Sequence, residues 1–170
     1  MHESLQKPRR RLHSVLQIED NSANAAIVEQ LLEGRSDLIL LTAINGYQGI
    51  DIAYTKQLDV ILLDINLPDI SGLSALKFLR DNPATAHIPV IVLSSDTFPL
   101  HVKGGLTARF FRYITKPYKI DALPASIDAA LESSLPERNR RKYDRRLLRP
   151  ASPRVAERRY INERRSRMDG

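Results

Sequence analysis

The chain of 170 residues contains no cysteine, and its length suits one domain of ordinary size with an appended segment. Disulfide bonds and thiolate chemistry are therefore excluded, and no apolar run approaches the roughly 20 residues that a membrane-spanning helix needs. The formal net charge of +6 is unevenly distributed, because residues 1–135 hold 13 Lys or Arg against 15 Asp or Glu, whereas residues 136–170 hold 13 against 5. We expect a cytoplasmic protein without membrane insertion, in which any affinity for anionic partners belongs to the last segment.

Five short apolar runs predict the strands of a sheet. They show little polar alternation, which is typical of parallel strands buried on both faces. The predicted strands are His13–Ile18, Leu38–Ile44, Val60–Leu63, Pro89–Leu93 and Phe111–Thr115. The third run is the clearest, since its four apolar residues lead directly into Asp64 and a turn.

Helical patterns lie between these strands. The helices are predicted from a cap at Asn21 or Ser22 to Gly34, over Tyr47–Lys56, over Ser71–Arg80 and over Asp121–Ser134. The first is expected to bury one side made of Ile27, Val28, Leu31 and Leu32, and Asn45-Gly46 predicts a turn before the second. Repeated strands and helices predict right-handed crossovers and a parallel sheet covered on both faces.

Polar residues collect at the carboxyl ends of four of the predicted strands. They are Glu19 and Asp20, Asp64, Ser94 and Lys116. Each of them alone has an ordinary explanation as a helix cap, a turn residue or a solvated surface residue. Because the carboxyl ends of parallel strands meet at one edge, where open sheets hold their ligand chemistry, their shared position favours a functional site.

The residue types at this edge suit phosphoryl transfer. Converging carboxylates would repel one another, and a hard divalent cation would relieve the repulsion. Mg²⁺ or Mn²⁺ could be held by Glu19, Asp20, Asp64 and the backbone carbonyl near Asn66, since Mg²⁺ prefers oxygen ligands. Lys116 offers a point charge for Asp64 and for a phosphoryl oxygen, and the Ser94 hydroxyl offers a further hydrogen bond. An aspartate in such a site can itself be the nucleophile.

Taken together, these motifs resemble the receiver domain of two-component response regulators, over about residues 13–134. Glu19-Asp20 is similar to the acidic pair of that family. The stretch from Asp64 to Gly72 matches its phosphoacceptor motif, D-x-x-[LM]-P-x-x-x-G, with Pro68 and Gly72 in place.

Further positions carry the same resemblance. Ser94 falls at the Ser/Thr of the family, and Tyr113 falls at its switch aromatic, three residues before the lysine. Lys116-Pro117 matches the Lys-Pro pair of the family, whose peptide bond is usually cis. The region from Val15 to Asn24 is also similar to receivers associated with hybrid histidine kinases.

The resemblance implies an α/β, flavodoxin-like, doubly wound five-stranded parallel sheet in the order 2-1-3-4-5. It implies a signalling switch rather than an enzyme, in which Asp64 accepts a phosphoryl group from a histidine kinase or histidine phosphotransfer protein. The implied metal ligands are Glu19, Asp20, Asp64 and the Asn66 carbonyl, and the implied phosphoryl contacts are Lys116 and Ser94. By the same resemblance, Ser94 and Tyr113 move inward on phosphorylation, while Asn66 and Asp96 influence hydrolysis of the acyl phosphate.

Two regions depart from the family pattern or lie outside it. Arg109 stands where the family usually has a glycine, and the segment Phe98–Ala108 carries Pro99 and Gly104-Gly105, which predicts a short or irregular helix. Residues 1–12 form a basic N-terminal segment. Residues 135–170 form an Arg-rich tail that is too polar for its own core and is expected to be disordered or partly helical.

Three functions therefore remain open from the sequence. The leading hypothesis is a single-domain response regulator in a phosphorelay, and a homodimer stays open. A Mg²⁺-dependent phosphohydrolase is disfavoured, because such enzymes commonly carry a second aspartate at the position that Asn66 holds here. An adaptor could act through the basic tail on nucleic acid or another acidic partner, since arginine pairs well with phosphate and carboxylate groups.

Overall fold

The apolar runs of the chain form a five-stranded parallel sheet in a computed structural model that describes residues 12–95 and 110–134. The elements in chain order are β1 (His13–Ile18), α1 (Ser22–Leu31), β2 (Leu38–Ala43), α2 (Gly46–Thr55), β3 (Val60–Asp64), α3 (Gly72–Asp81), β4 (Val90–Ser94), β5 (Arg112–Thr115) and α4 (Ala122–Ser133). The strands lie in the order β2-β1-β3-β4-β5, and every neighbouring pair is parallel. The predicted doubly wound fold is therefore confirmed.

The absence of polar alternation in the central strands follows from burial on both faces. Alternate side chains of β3, such as Ile61 and Leu63, pack with apolar residues of α2 and α3. Val60 and Leu62 point the other way and pack with apolar residues of α1 and α4. Every residue of β3 and β4 is buried, which places the carboxyl ends of these strands within a rigid core.

The first helix differs from its prediction in one residue, which was expected to be buried. Asn21 is the cap, and its side-chain oxygen accepts hydrogen bonds from the N–H groups of Ala23 and Asn24. Val28 is fully buried, whereas Ile27, which was predicted to face the core, is 45% exposed. Adjacent residues of a helix differ by about 100° in direction, so a ten-residue helix that buries Val28 turns Ile27 toward solvent.

The predicted turn at Asn45-Gly46 is instead the beginning of α2. The Asn45 side chain accepts a hydrogen bond from the N–H group of Gln48 at 2.8 Å, which is an N-cap contact. The predicted turn was wrong because Asn-Gly pairs signal turns on local grounds, whereas here the chain enters a helix directly after β2.

Several predictions lie outside the described residues. They concern most of the N-terminal segment, the segment Phe98–Ala108, Asp96, Arg109 and the Arg-rich tail 135–170. Among the helices of residues 12–95 and 110–134, none is long and apolar enough to cross a membrane.

A charged contact joins the segment before β2 to the last helix. Arg35 donates hydrogen bonds to both carboxylate oxygens of Asp37 and to Oδ1 of Asp128, each at 2.8 Å. The hydrogen bond from Arg35 lowers the pKa of Asp37 from 3.8 to about 2. The contact therefore contributes its full stability above pH 3.8, and this contribution is lost as the pH falls toward 2.

Asp37→Asn is accordingly expected to lower the free energy of unfolding at neutral pH by about 1 kcal/mol, because solvent screens a pair whose side chains are 27% and 31% exposed. Urea unfolding of both proteins at several pH values would measure this difference. The difference should shrink as the pH falls from about 4 toward 2, where Asp37 itself becomes neutral. A difference that is independent of pH would contradict the expected linkage.

Candidate functional site

Four charged side chains meet at the carboxyl edge of the sheet, as predicted. Glu19 and Asp20 follow β1, Asp64 ends β3 and Lys116 follows β5. Each of the three acidic residues offers a carboxylate oxygen within 4.8 Å of the other two. Glu19 and Asp64 are only 3% and 5% exposed, whereas Asp20 is exposed, so the cluster is reached from solvent on the side of Asp20.

Lys116 bridges the two buried carboxylates. Its Nζ donates hydrogen bonds to Oε2 of Glu19 at 2.5 Å and to Oδ2 of Asp64 at 2.7 Å. Burial by itself would lower the pKa of Lys116, but the hydrogen bonds to Asp64 and Glu19 outweigh burial and hold this pKa above its ordinary value. The lysine thus stays charged at neutral pH and offsets part of the repulsion within the cluster.

The first turn of α1 fixes the second oxygen of Glu19. Oε1 accepts hydrogen bonds from the backbone N–H of Asn21 and from the side-chain Nδ2 of Asn24, each at 3.2 Å. Asn24 was not predicted as part of the site. The sequence shows only that Asn24 is a polar residue one helical turn after the acidic pair. Such a residue cannot be distinguished from a solvent-exposed helix residue on the sequence alone.

The loop after β3 closes tightly on Asp64. Oδ1 of Asp64 accepts a hydrogen bond from the N–H of Asn66 at 3.1 Å, and Gly72 N–H donates to the carbonyl of Ile65 at 2.8 Å. A Cβ at Gly72 would lie 2.1 Å from the carbonyl oxygen of Asp64. The glycine that follows Asp64 by eight residues is therefore required because α3 begins against the backbone of Asp64 itself.

The ends of β4 and β5 complete this edge. Ser94 is fully buried, and its carbonyl accepts a hydrogen bond from the N–H of Lys116 at 2.7 Å. Leu93 is the register partner of Asp64, so Ser94 stands one residue beyond it. Tyr113 on β5 is half-buried, with its ring centroid 6.2 Å from that of Phe110. The Lys116–Pro117 bond is cis, as the resemblance implies.

The donor set suits a hard divalent cation. Every acidic residue of the cluster offers a carboxylate oxygen, the ligand type that Mg²⁺ and Mn²⁺ prefer. When all four groups are ionised, three carboxylates and one ammonium carry a net charge of −2. One divalent cation balances this charge, and the open side at Asp20 leaves room for the water ligands that Mg²⁺ usually keeps.

Lys116→Met tests the electrostatic role of the bridge, because methionine keeps much of the apolar stem and removes the charge. We expect the free energy of unfolding without divalent cations to fall by about 2 kcal/mol. This loss is smaller than that for a fully buried ion pair, because the exposed side of the cluster at Asp20 remains solvated. Urea unfolding with and without Mg²⁺ would measure the loss, and Mg²⁺ should restore part of it. Lys77→Met is the matched control, since it breaks only the exposed pair with Asp81 and should cost less than about 0.5 kcal/mol. Equal losses would contradict the prediction.

Comparison with known proteins identifies relatives of this chain. The family model described as "Response regulator receiver domain" matches residues 15–128. The cell cycle transcriptional regulator CtrA of Caulobacter vibrioides is 36% identical over 124 residues, which are 71% of this chain and 51% of that protein. The cell cycle response regulator CtrA of Brucella ovis is 38% identical over 120 residues, which are 71% of this chain and 50% of that protein. The chain thus spans about half the length of these curated relatives.

A solved structure shows the same fold. The receiver domain of the sensor histidine kinase PA1611 from Pseudomonas aeruginosa PAO1 superposes with a TM-score of 0.63 at 26% sequence identity. The match covers 71% of this chain and 98% of that domain, whose crystal structure has a magnesium ion coordinated in the active site cleft.

Proposed function

Because the chain belongs to the receiver-domain family of response regulators, we propose that it is a single-domain response regulator that accepts a phosphoryl group on Asp64 in a Mg²⁺-dependent phosphorelay. The phosphoryl donor is a phosphohistidine on a histidine kinase or histidine phosphotransfer protein, and the reaction takes place in the cytoplasm. The protein acts as a switch that carries the group, and it does not turn over a substrate repeatedly.

The observation that carries this proposal is the placement of Asp64. Its carboxylate accepts a hydrogen bond from Lys116 and lies close to the carboxylates of Glu19 and Asp20, at an edge that opens to solvent. A nucleophilic carboxylate needs access for the donor, a cation to neutralise charge and a fixed orientation. Access is available beside Asp20, and the hydrogen bonds from Asn66 and Lys116 orient both oxygens of Asp64.

In the proposed reaction, a carboxylate oxygen of Asp64 attacks the phosphorus of the phosphohistidine. A P–O bond forms as the P–N bond breaks, and the electron pair of the P–N bond goes to the imidazole nitrogen. Mg²⁺, held by Glu19, Asp20, Asp64 and the Asn66 carbonyl, would neutralise the charge shared by the carboxylates and the phosphoryl oxygens. Lys116 donates a hydrogen bond to one phosphoryl oxygen, and the Ser94 hydroxyl donates to another.

The signal then leaves through residues next to the site. We propose that Ser94 and Tyr113 move inward once the phosphoryl group is present, which shifts the population between two packings of this edge. Their positions support this role, because Ser94 is the last residue of β4 and Tyr113 lies on the neighbouring strand β5, close to the edge that carries Asp64. Asn66, which is exposed beside Asp64, and Asp96 are proposed to set the rate of acyl-phosphate hydrolysis.

Mass spectrometry of the full chain tests the proposal directly. Incubation with a small phosphodonor and Mg²⁺ should add the mass of one phosphoryl group, and chelation of Mg²⁺ should prevent the addition. A chain that stays unmodified by the donor and by a panel of histidine kinases would refute the proposal. Repeated turnover of phosphate esters would instead favour the phosphohydrolase alternative.

The charge of residues 136–170 supports a second candidate function, an adaptor that binds nucleic acid through this segment. The segment holds 13 basic and 5 acidic residues, and binding through phosphate contacts weakens steeply as salt releases counterions. Binding of the full chain to duplex DNA at several salt concentrations would test this function. An affinity that does not depend on salt, or that survives deletion of residues 136–170, would argue against it.

A further inference from the structure

The first turn of α2 is held by a carboxylate from the loop that follows Asp64. Oδ1 of Asp69 accepts a hydrogen bond from the N–H of Gly46, and Oδ2 accepts one from the N–H of Tyr47, both at 2.8 Å. The first N–H groups of a helix have no partner within the helix, and a negative charge at this end is favourable. Asp69 therefore accepts hydrogen bonds from two N–H donors of α2, although it lies more than twenty positions after them in sequence.

An apolar contact reinforces this attachment. Ile70 is buried, and a Cβ at Gly46 would lie 2.4 Å from its Cγ1. The side chain of Ile70 thus packs directly on the backbone at the start of α2. The loop after Asp64 is docked on α2 by both hydrogen bonds and packing.

The same turn of α2 also contacts the strand that leads to the acidic pair. A Cβ at Gly49 would lie 2.3 Å from Cδ1 of Ile18. Ile18 is fully buried and directly precedes Glu19, whose N–H donates to the carbonyl of Ala43 at 2.9 Å. The start of α2 therefore lies between the chain segment that carries Glu19 and the loop that carries Asn66.

The loop from Ile65 to Ser71 has two points of attachment. At one end, Gly72 closes on the backbone of Asp64 and Ile65. Further along the loop, Asp69 and Ile70 are attached to α2. Asn66 lies between Ile65 and Asp69, so loss of the Asp69 hydrogen bonds would weaken one of the two attachments that flank its backbone carbonyl and leave only the packing of Ile70 there.

We infer that Asp69 is a positioning residue for the metal site. Through α2, its carboxylate sets the placement of the Asn66 carbonyl relative to Glu19 and Asp20, although Asp69 itself need not touch the metal or the phosphoryl group. The inference rests on the proposed function, because Asn66 is a ligand only in that proposal. Loss of an outer contact that orients metal ligands commonly weakens metal binding about tenfold or more.

The test compares Mg²⁺ affinity across variants of the full chain by isothermal titration calorimetry. Asp69→Ala is expected to raise the dissociation constant about tenfold. Asp69→Asn removes the same charge but keeps one oxygen that can accept an N–H, so its effect should be intermediate. Asp51→Ala removes an exposed carboxylate from the same helix and should leave the affinity unchanged. Hydrogen exchange of the Gly46 and Tyr47 amides would report loss of the two hydrogen bonds independently.

The outcomes separate the inference from the proposed function. If Asp69→Ala speeds hydrogen exchange at Gly46 and Tyr47 but leaves Mg²⁺ affinity unchanged, the inference is overturned. The proposed function still stands in that case, provided that the wild type binds Mg²⁺ and is phosphorylated. Equal weakening by Asp69→Ala and Asp69→Asn would assign the effect to charge, and would also overturn the inference. A wild-type chain that binds no Mg²⁺ would overturn both.

Discussion

Asp64→Asn is expected to reduce phosphoryl incorporation from a small donor to background. An amide oxygen is a far weaker nucleophile than a carboxylate, and the substitution also removes a carboxylate from the proposed metal site. Asparagine has nearly the same shape, and its single side-chain oxygen can accept the hydrogen bond from either Lys116 or Asn66, so the fold should persist. Intact-protein mass spectrometry after incubation with donor and Mg²⁺ would measure incorporation, and circular dichroism would establish that the variant is folded.

Asp51→Asn provides the control for this prediction. Asp51 is an exposed carboxylate on α2 and does not belong to the charged cluster, so its loss should leave incorporation at the wild-type level. If Asp64→Asn took up a phosphoryl group as fast as the wild type, Asp64 could not be the acceptor. Peptide mapping would then show whether Asp20, the exposed member of the cluster, had been modified instead.

Gly72→Ala is expected to lower the free energy of unfolding by about 3 kcal/mol, at the upper end of the usual range for overpacking. The added Cβ would lie 2.1 Å from the carbonyl oxygen of Asp64 and 2.7 Å from Cα of Ile65. These are backbone atoms within the core, and they cannot turn aside as the end of a flexible side chain can. Relief requires α3 to shift away from β3, so phosphoryl incorporation should fall together with stability. Urea unfolding and the mass assay would measure the two effects.

Gly34→Ala separates this steric effect from the ordinary consequence of replacing a glycine. Gly34 has a φ of +84°, but nothing lies within 4 Å of a Cβ at this position. Alanine there should therefore cost only about 1 kcal/mol of backbone strain and leave phosphoryl incorporation unchanged. Comparable losses of stability in the two variants would argue against close packing of Gly72 on Asp64.

The sequence predicted the fold and the charged cluster because both follow from short-range regularities. Apolar runs without alternation identify buried parallel strands, and the carboxyl ends of such strands meet at one edge whatever the details of the helices. Asp64 and Lys116 were therefore predicted to meet although they are 52 residues apart. The spacing of Pro68 and Gly72 after Asp64 added a motif whose physical cause is the contact of Gly72 with the Asp64 backbone.

The contacts that were not predicted depend on three-dimensional packing between elements. Asp69 is an unremarkable polar residue in the loop motif, and its hydrogen bonds to Gly46 and Tyr47 arise only once α2 and α3 lie side by side. Asn24 contacts Glu19 only because α1 begins directly after β1. The direction of Ile27 was wrong for a related reason, since apolar spacing does not specify which side of a short helix faces the sheet.

The bridge between Lys116, Glu19 and Asp64 has a consequence for how the protein responds to its ionic surroundings. Because the ammonium group of Lys116 pairs with both buried carboxylates, these side chains are held together by a group of the chain itself. On the proposed function, Mg²⁺ would compete with Lys116 for carboxylate oxygens that the lysine already contacts. The supply of divalent cations would then set how readily the protein accepts a phosphoryl group, while the lysine bridge would stabilise the folded state without metal.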